Sequence, residues 1–248
     1  MADRLGWSVL QVLETEGGSP DTHIQQLEER LKTNMCGKRI GEWSASIELY
    51  FRNSDLSSGL DQSKAPAAPT REEKKQQAKR MFIVRFSEAP TNQYFVLKEC
   101  VVEASRDVDK IVSELNLVKR KKTSKVSGVK YQVGSYVFRI GKLSSGSKIS
   151  GFIVLEIECQ SCQTSQASGL LQEISHCLLG PLLGQPSRPP QTPNAKNQQQ
   201  STRWNKFSQA TTLNCNMHLQ GLPKHASQRH RAARFYQLLN QDFKSTGR

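Results

Sequence analysis

Gly128-Val129-Lys130-Tyr131-Gln132-Val133-Gly134-Ser135-Tyr136-Val137-Phe138-Arg139-Ile140-Gly141-Lys142-Leu143, followed after a Ser/Gly turn by Lys148-Ile149-Ser150-Gly151-Phe152-Ile153-Val154-Leu155-Glu156-Ile157-Glu158-Cys159, decides the fold. Apolar residues alternate through three segments with Gly and Ser at the breaks, as half-buried strands require. Strands are expected near Val129–Val133, Tyr136–Lys142 and Ile149–Cys159. Leu170, Leu171, Ile174 and Leu178 then recur at helical spacing in a run closing on His176-Cys177-Leu178-Leu179-Gly180. Val126 to Gly180 is the densest apolar material in the chain and is expected to form the core of its main domain.

Upstream, Trp7, Val9, Gln11 and Leu13 alternate, with Val12 out of register, and predict a short strand that Glu16-Gly17-Gly18 breaks. Ser19-Pro20-Asp21 opens a helix in which Asp21 or Thr22 can cap and Ile24, Leu27 and Leu31 share a face; Gly37 is its natural stop. Trp43, Ala45, Ile47, Leu49 and Phe51 alternate with polar residues as a strand. Between Asn53 and Lys79 the pattern dissolves into Ser, Gly, Pro, Ala and Lys, an exposed insertion or flexible loop. Met81–Phe86 and Tyr94–Lys98 flank a proline-bearing turn and read as a hairpin that Cys100–Glu103 continues. Ser105 can cap a helix with Val108, Ile111, Val112 and Leu115 in one apolar stripe, and Lys119–Lys125 follows as a basic loop.

After Gly180 the composition turns Pro- and Gln-rich, and no acidic residue occurs between Glu173 and Asp242. A last helix is expected from Arg229 to Phe243, with Ala232, Phe235, Tyr236 and Leu239 on one side. The expected organisation is therefore a core domain over residues 1–180 with an exposed basic insertion at about 53–79, a largely disordered Pro/Gln-rich basic loop over 181–227, and a C-terminal helix over 228–248 packing back on the core or on a partner. Short turns between consecutive strands argue for an α+β fold: a mainly antiparallel sheet flanked by helices, curled or barrel-like so as to dispose of its edges.

Composition narrows the function classes. The 248 residues are 36% hydrophobic and carry a net charge of +13. That excess of cations suits polyanions such as nucleic acid, or acidic protein faces. The first residues lack the basic and continuous apolar regions of a secretory signal, and no run approaches the roughly 18 apolar residues of a membrane helix. Six cysteines without close regular spacing read as reduced thiols, placing the chain in the cytosol or nucleus.

Glu156 and Glu158 leave one face of a strand while Ile153, Leu155, Ile157 and Cys159 leave the other. Paired carboxylates beside phosphate oxygens would suit a divalent cation, and the pair is similar to half of the Glu-x-Glu-x-Lys signature of triphosphate tunnel enzymes. Gln160 stands where that signature has lysine, and a second strand with paired acids is absent. The plainer reading is a polar sheet face, solvated or salt-bridged to neighbouring Lys and Arg. Cys159-x-x-Cys162 and Cys215-x-x-His218 have zinc-like internal spacing, but the Pro/Gln loop separates them and Cys159 falls on a core face. His176-Cys177 has no orienting third group for nucleophilic catalysis, and packing is the expected role of Cys177. Lys119-Arg120-Lys121-Lys122 with Lys125 suits nuclear import, a phosphate contact or plain solvation. Arg203-Trp204-Asn205-Lys206-Phe207 interleaves cations and aromatics as stacking nucleic-acid binders do, and equally suits a segment that folds on a protein partner. With no phosphate loop, nucleophile elbow or zinc-protease helix motif, no residue is assigned a catalytic, cofactor-binding or metal role, and no cofactor is expected.

Gly128-Val129-Lys130-Tyr131-Gln132, the strand Tyr136–Gly141, the Gly-led strand Gly151–Glu158 and the helix closing on Leu179-Gly180 resemble, in the same order, the features of subunit 20 of the Mediator coactivator complex, also called TRF-proximal protein. The resemblance extends to the helix at Thr22–Leu31, the strand at Trp43–Phe51 and the terminal Phe235-Tyr236-x-Leu-Leu-Asn run. It implies a curled, barrel-like antiparallel sheet without enzymatic activity, paired with Mediator subunit 18 and docked with subunit 8 in the head module. A nuclear role follows from it, coupling transcriptional regulators to RNA polymerase II, with direct nucleic-acid contact not expected. The alternatives are a metal-dependent triphosphate hydrolase of the tunnel-barrel type and a basic nucleic-acid-binding module.

Overall fold

The computed structural model describes residues 7–15, 19–52, 80–97, 100–116, 118–146, 148–161, 167–180, 182, 207–213 and 227–245. Their strands are β1 (Trp7–Thr15), β2 (Lys38–Arg52), β3 (Arg80–Phe86), β4 (Asn92–Val96), β5 (Val101–Ser105), β6 (Val118–Val133), β7 (Tyr136–Ser145), β8 (Lys148–Cys159) and β9 (Phe207–Leu213). Their helices are α1 (Pro20–Asn34), α2 (Val108–Glu114), α3 (Ala167–Leu179) and α4 (Gln228–Ser245). The strands hydrogen-bond in the order β5-β4-β3-β2-β6-β7-β8-β1-β9. The α+β class with an antiparallel sheet and flanking helices is therefore as expected. The barrel-like curl is not: the order has two ends, and among the described residues no pairing joins β5 to β9. The sheet is neither closed nor strongly curled. Closure depends on strand tilt and stagger, which alternation in a sequence does not encode.

The chain divides into two compact units, and β2, β6, β7 and β8 each cross a boundary between them. In the first unit (residues 1–42, 127–143 and 149–214), β1 pairs antiparallel with β8 on one side and β9 on the other. Its core gathers Val9 and Leu13 of β1, Tyr131 of β6, Phe138 and Ile140 of β7, and Ile153, Leu155, Ile157 and Cys159 of β8. Leu27 and Leu31 of α1 and Leu171, Leu178 and Leu179 of α3 cover that face. Burial of each such side chain stabilises by about 1.5–3 kcal/mol. Hydrogen bonds anchor the helices to the same elements: Tyr131 donates its hydroxyl to Glu28 of α1 at 2.7 Å, and Ser175 of α3 donates to Gln11 of β1. Burial first, then the Glu28 carboxylate, raises the Tyr131 hydroxyl far above its ordinary range.

Several local expectations change. Ser19, not Asp21 or Thr22, caps α1: its backbone is extended, and its hydroxyl accepts from the Asp21 amide with Pro20 next in line. Cys36 supplies the left-handed residue after α1, while Gly37 donates its amide to the Leu31 carbonyl at 2.7 Å. On α3, Leu171 and Leu178 are buried, but Leu170 and Cys177 lie on the exposed side. Gly128-Val129-Lys130-Tyr131-Gln132 belongs to the run of β6. A Cβ on Gly128 would stand 1.8 Å from the Ile140 carbonyl oxygen of β7, so only glycine lets the two backbones pass. Gly128→Ala is expected to cost about 3 kcal/mol by urea unfolding, the upper end of ordinary overpacking. A cost below about 0.5 kcal/mol, normal for a surface change, would show that the strands part without penalty.

In the second unit (residues 43–126, 144–148 and 215–248), β2 pairs antiparallel with β3, β3 with β4, and β4 with β5. One face of this hairpin series presents Trp43, Phe82, Phe86 and Tyr94 to α4. Phe235 meets Phe86 edge-on at 5.4 Å and Trp43 at 6.2 Å, and Tyr236 meets Phe82 at 4.8 Å. The apolar side expected of the last helix is thus the side that docks.

Three further readings are corrected here. The basic run at Lys119–Lys125 is part of β6, not a loop, because exposed strand residues need no apolar alternation. The stripe on α2 is not buried: no residue of that helix is, and Ile111 and Leu115 stand in the open. Phe207–Leu213, which composition assigns to the loop, is a strand beside β1. The insertion at residues 53–79, most of the segment 181–227 including Arg203 to Lys206, and Cys162, Cys215 and His218 lie outside the described residues.

Candidate functional site

The paired acids on β8 provide the obvious place to look for chemistry. Register sets Glu158 opposite Ser8 and Glu156 opposite Leu10 of β1. Alternation along β7 brings Arg139 to the same face, away from Phe138 and Ile140. The Arg139 guanidinium lies 2.7 Å from a Glu158 oxygen and 3.6 Å from a Glu156 oxygen, and Ser8 donates to Glu156 at 3.4 Å. Arg139 and Glu158 are each 4% exposed and Glu156 is fully buried. A guanidinium therefore stands against both carboxylates, where a divalent cation would otherwise bridge them. The salt-bridged reading of the sheet face holds, in a drier form than the sequence suggests. Among the described residues no cluster of three or more His, Cys, Asp or Glu is poised to hold a metal. Cys159 is buried in the apolar core, as expected, and the exposed Cys177 sits on α3 beside His176.

In the second unit a chain of charge crosses the sheet face opposite α4. Tyr50 donates to Glu48 at 2.7 Å, Arg85 pairs with Glu48 at 3.0 Å and with Asp109 of α2 at 2.9 Å, and Arg85 also donates to Gln93. Arg120, from the basic run, reaches Glu48 at 3.7 Å. Burial above all, reinforced by Glu48, raises the Tyr50 hydroxyl. Lys119, Lys121 and Lys125 are exposed along the same strand. This ridge can contact polyanions, but it holds nothing that could perform a reaction.

Beneath α4, Arg231 lies 4.3 Å from the Phe86 ring centre and pairs with Glu88 at 2.8 Å. Its stem packs on aromatics while its charge is answered, a cation–π arrangement that serves docking. The neighbouring residue, His230, shares a hydrogen bond of 3.0 Å with Ser227. Burial, and then the nearby Arg234 charge, pushes His230 down to about 4. A folded pKa below the unfolded one means stability present above the unfolded pKa near 6.5 and lost as pH falls toward about 4. The loss should reach about 2–3 kcal/mol over that window. Urea unfolding of the parent and His230→Gln at neutral and at acid pH checks this, with the parent's acid loss exceeding the variant's. Equal losses would remove His230 as the cause.

Exposed apolar surface is concentrated in the second unit. Val102 on β5 is 48% exposed, and Ile111 on α2 and Leu115 at its C-terminal end are 53% and 55% exposed. Nothing in the sequence signals this, because an apolar stripe reads as a buried face whether or not anything in the same chain covers it. Arg139 was missed for the converse reason: a charge between Phe138 and Ile140 looks solvent-facing until a neighbouring strand is placed beside it.

An α+β sheet protein whose described residues set an arginine against the paired acids of β8 and expose basic and apolar side chains has the make-up of a binding or scaffolding protein. The family model for the TATA-binding related factor (TRF) of subunit 20 of Mediator complex matches residues 6–240. The chain belongs to this family: it is a Mediator subunit, nuclear, acting in transcription regulation, and it is not an enzyme. No curated protein matches the chain. Among solved structures it is similar to a protein from Pyrococcus horikoshii OT3, with 11% identity, a TM-score of 0.38 and coverage of 69% of this chain and 90% of the other. A conserved hypothetical protein from Pyrococcus furiosus gives 13%, 0.37, 69% and 90%, and a second P. horikoshii protein 15%, 0.36, 69% and 88%.

Proposed function

We propose that this subunit works as a structural element of the Mediator head module, pairing with Mediator subunit 18 and docking with subunit 8, and so helps couple regulators to RNA polymerase II. The observation that carries the reading is the family match over residues 6–240. The Arg139–Glu156–Glu158 cluster supports it, since the paired acids of β8 are buried and already bridged by an arginine. The subunit works through apolar burial and basic complementarity. The deciding experiment is affinity capture of the tagged full chain from nuclear extract, with mass spectrometry of what remains at moderate salt. Recovery of subunits 18 and 8 with the rest of the head is expected. Their absence, with nucleic acid recovered instead, would overturn the reading in favour of a basic nucleic-acid-binding module.

A further inference from the structure

The strand β5 stands at one end of the hydrogen-bonding order, so one of its sides has no strand neighbour among the described residues. Which of its backbone groups face that side follows from the bonds that flank its pairing with β4. The Leu97 amide bonds the Cys100 carbonyl, and the Arg106 amide bonds the Thr91 carbonyl. In an antiparallel ladder such bonded pairs recur every second residue. The register Phe95–Val102 and Gln93–Ala104 therefore turns the amides and carbonyls of Val102 and Ala104 toward β4. Those of Val101 and Glu103, and the amide of Ser105, point away from β4, to the open side; the Ser105 carbonyl accepts from the Gln93 side chain of β4 at 3.2 Å.

The side chains tell the same story. Glu103 lies on the α4 face, 3.4 Å from Arg229. Val102 and Ala104 lie on the other face. Gln93, opposite Ala104, accepts from Arg85, and Arg85 reaches Asp109 of α2, so α2 stands over the face that Val102 shares. Ile111 and Leu115, four residues apart, are turned outward on that helix. An unpaired strand edge next to half-exposed apolar side chains has the make-up of a strand-addition site.

We propose that the open edge of β5, with Val102 on the strand and Ile111 and Leu115 on α2, takes an extended segment of a partner protein as an added antiparallel or parallel strand. The segment carries apolar residues at alternate positions and little charge. Glu103 and Asp109 already answer Arg229 and Arg85, while Asp107 and Glu114 balance Arg106 and Lys110, so the patch has no net charge for a charged segment to match. A second copy of this chain fits poorly. Antiparallel self-pairing about the middle of β5 would set Glu103 directly across from Glu103, which like charges disfavour.

The inference rests on the proposed pairing with Mediator subunit 18, which supplies the probe. Amide-resolved hydrogen exchange compares the full chain alone with its complex with subunit 18. The amides of Val101, Glu103 and Ser105 are expected to slow at least tenfold in the complex, while those of Val102 and Ala104 are slow in both. Val102→Lys combined with Ile111→Lys is expected to weaken the complex roughly thirtyfold, and Leu170→Lys, an equally exposed leucine on α3, to leave it unchanged. A complex that forms with no slowing at Val101, Glu103 and Ser105 overturns the strand-addition site and leaves the pairing intact. No complex at all overturns both. Slow outward amides in the chain alone, with a dimer on sizing, would make a second copy the occupant and the proposal wrong.

Discussion

Replacing Arg139 by methionine is expected to destabilise the chain by about 3–5 kcal/mol, because the change removes the guanidinium from two carboxylates that stay buried. Methionine keeps most of the stem's bulk, so the loss is electrostatic and not a cavity. The geometry sets an order among related variants. Glu158, at 2.7 Å from the guanidinium, should cost more when changed to glutamine than Glu156 at 3.6 Å. Burying charge has its own penalty, so the combination Arg139→Met, Glu156→Leu and Glu158→Met should recover most of the stability lost in the single variant. Equilibrium urea unfolding of the four variants measures this. An Arg139→Met cost below about 1 kcal/mol, the level of an exposed pair, would mean that water or another cation does the guanidinium's work. Failure of the triple variant to recover would mean that the cluster is holding strand register as well as balancing charge.

Phe235→Ala should have an effect of the same size, about 3–5 kcal/mol for a fully buried aromatic. The residue is the point at which α4 meets Phe86 and Trp43, with the Arg231 guanidinium of the same helix 6.0 Å from its ring. Truncation leaves a hollow flanked by rigid rings, which cannot close over it cheaply. Phe235→Leu keeps much of the volume and should cost about 1–1.5 kcal/mol. Limited proteolysis gives a second readout: cleavage within α4 should speed up in Phe235→Ala before the chain unfolds as a whole. If cleavage and stability both match the parent, α4 is anchored elsewhere, with Tyr236 against Phe82 the next place to test.

The glycines that carry the family resemblance acquire physical reasons in the structure. Gly128 permits the close passage of β6 and β7. Gly180 donates its amide to the His176 carbonyl at 2.6 Å as α3 ends, and a Cβ there would stand 2.7 Å from that oxygen. Tyr131 within the same motif is held by Glu28, and the Glu-x-Glu pair by Arg139. These positions specify packing, which fits a family that assembles and does not catalyse.

Some of this was determined by the sequence alone. Alternation in Trp43–Phe51, Met81–Phe86 and Gly151–Cys159 located strands, and spacing at Ile24–Leu31 and Ala232–Phe235 located docking helices, because burial of one face imposes a period on any element that forms. The charge of +13 and the order of the Gly, Tyr and Glu motifs were likewise there to be read. Only the tertiary structure decided that the sheet stays open, that Arg139 rather than a cation or water meets Glu156 and Glu158, and that the stripe on α2 faces outward. A periodic pattern records which face of an element is apolar. What covers that face, and which residue stands across from a charge, depends on strands brought together from distant parts of the chain.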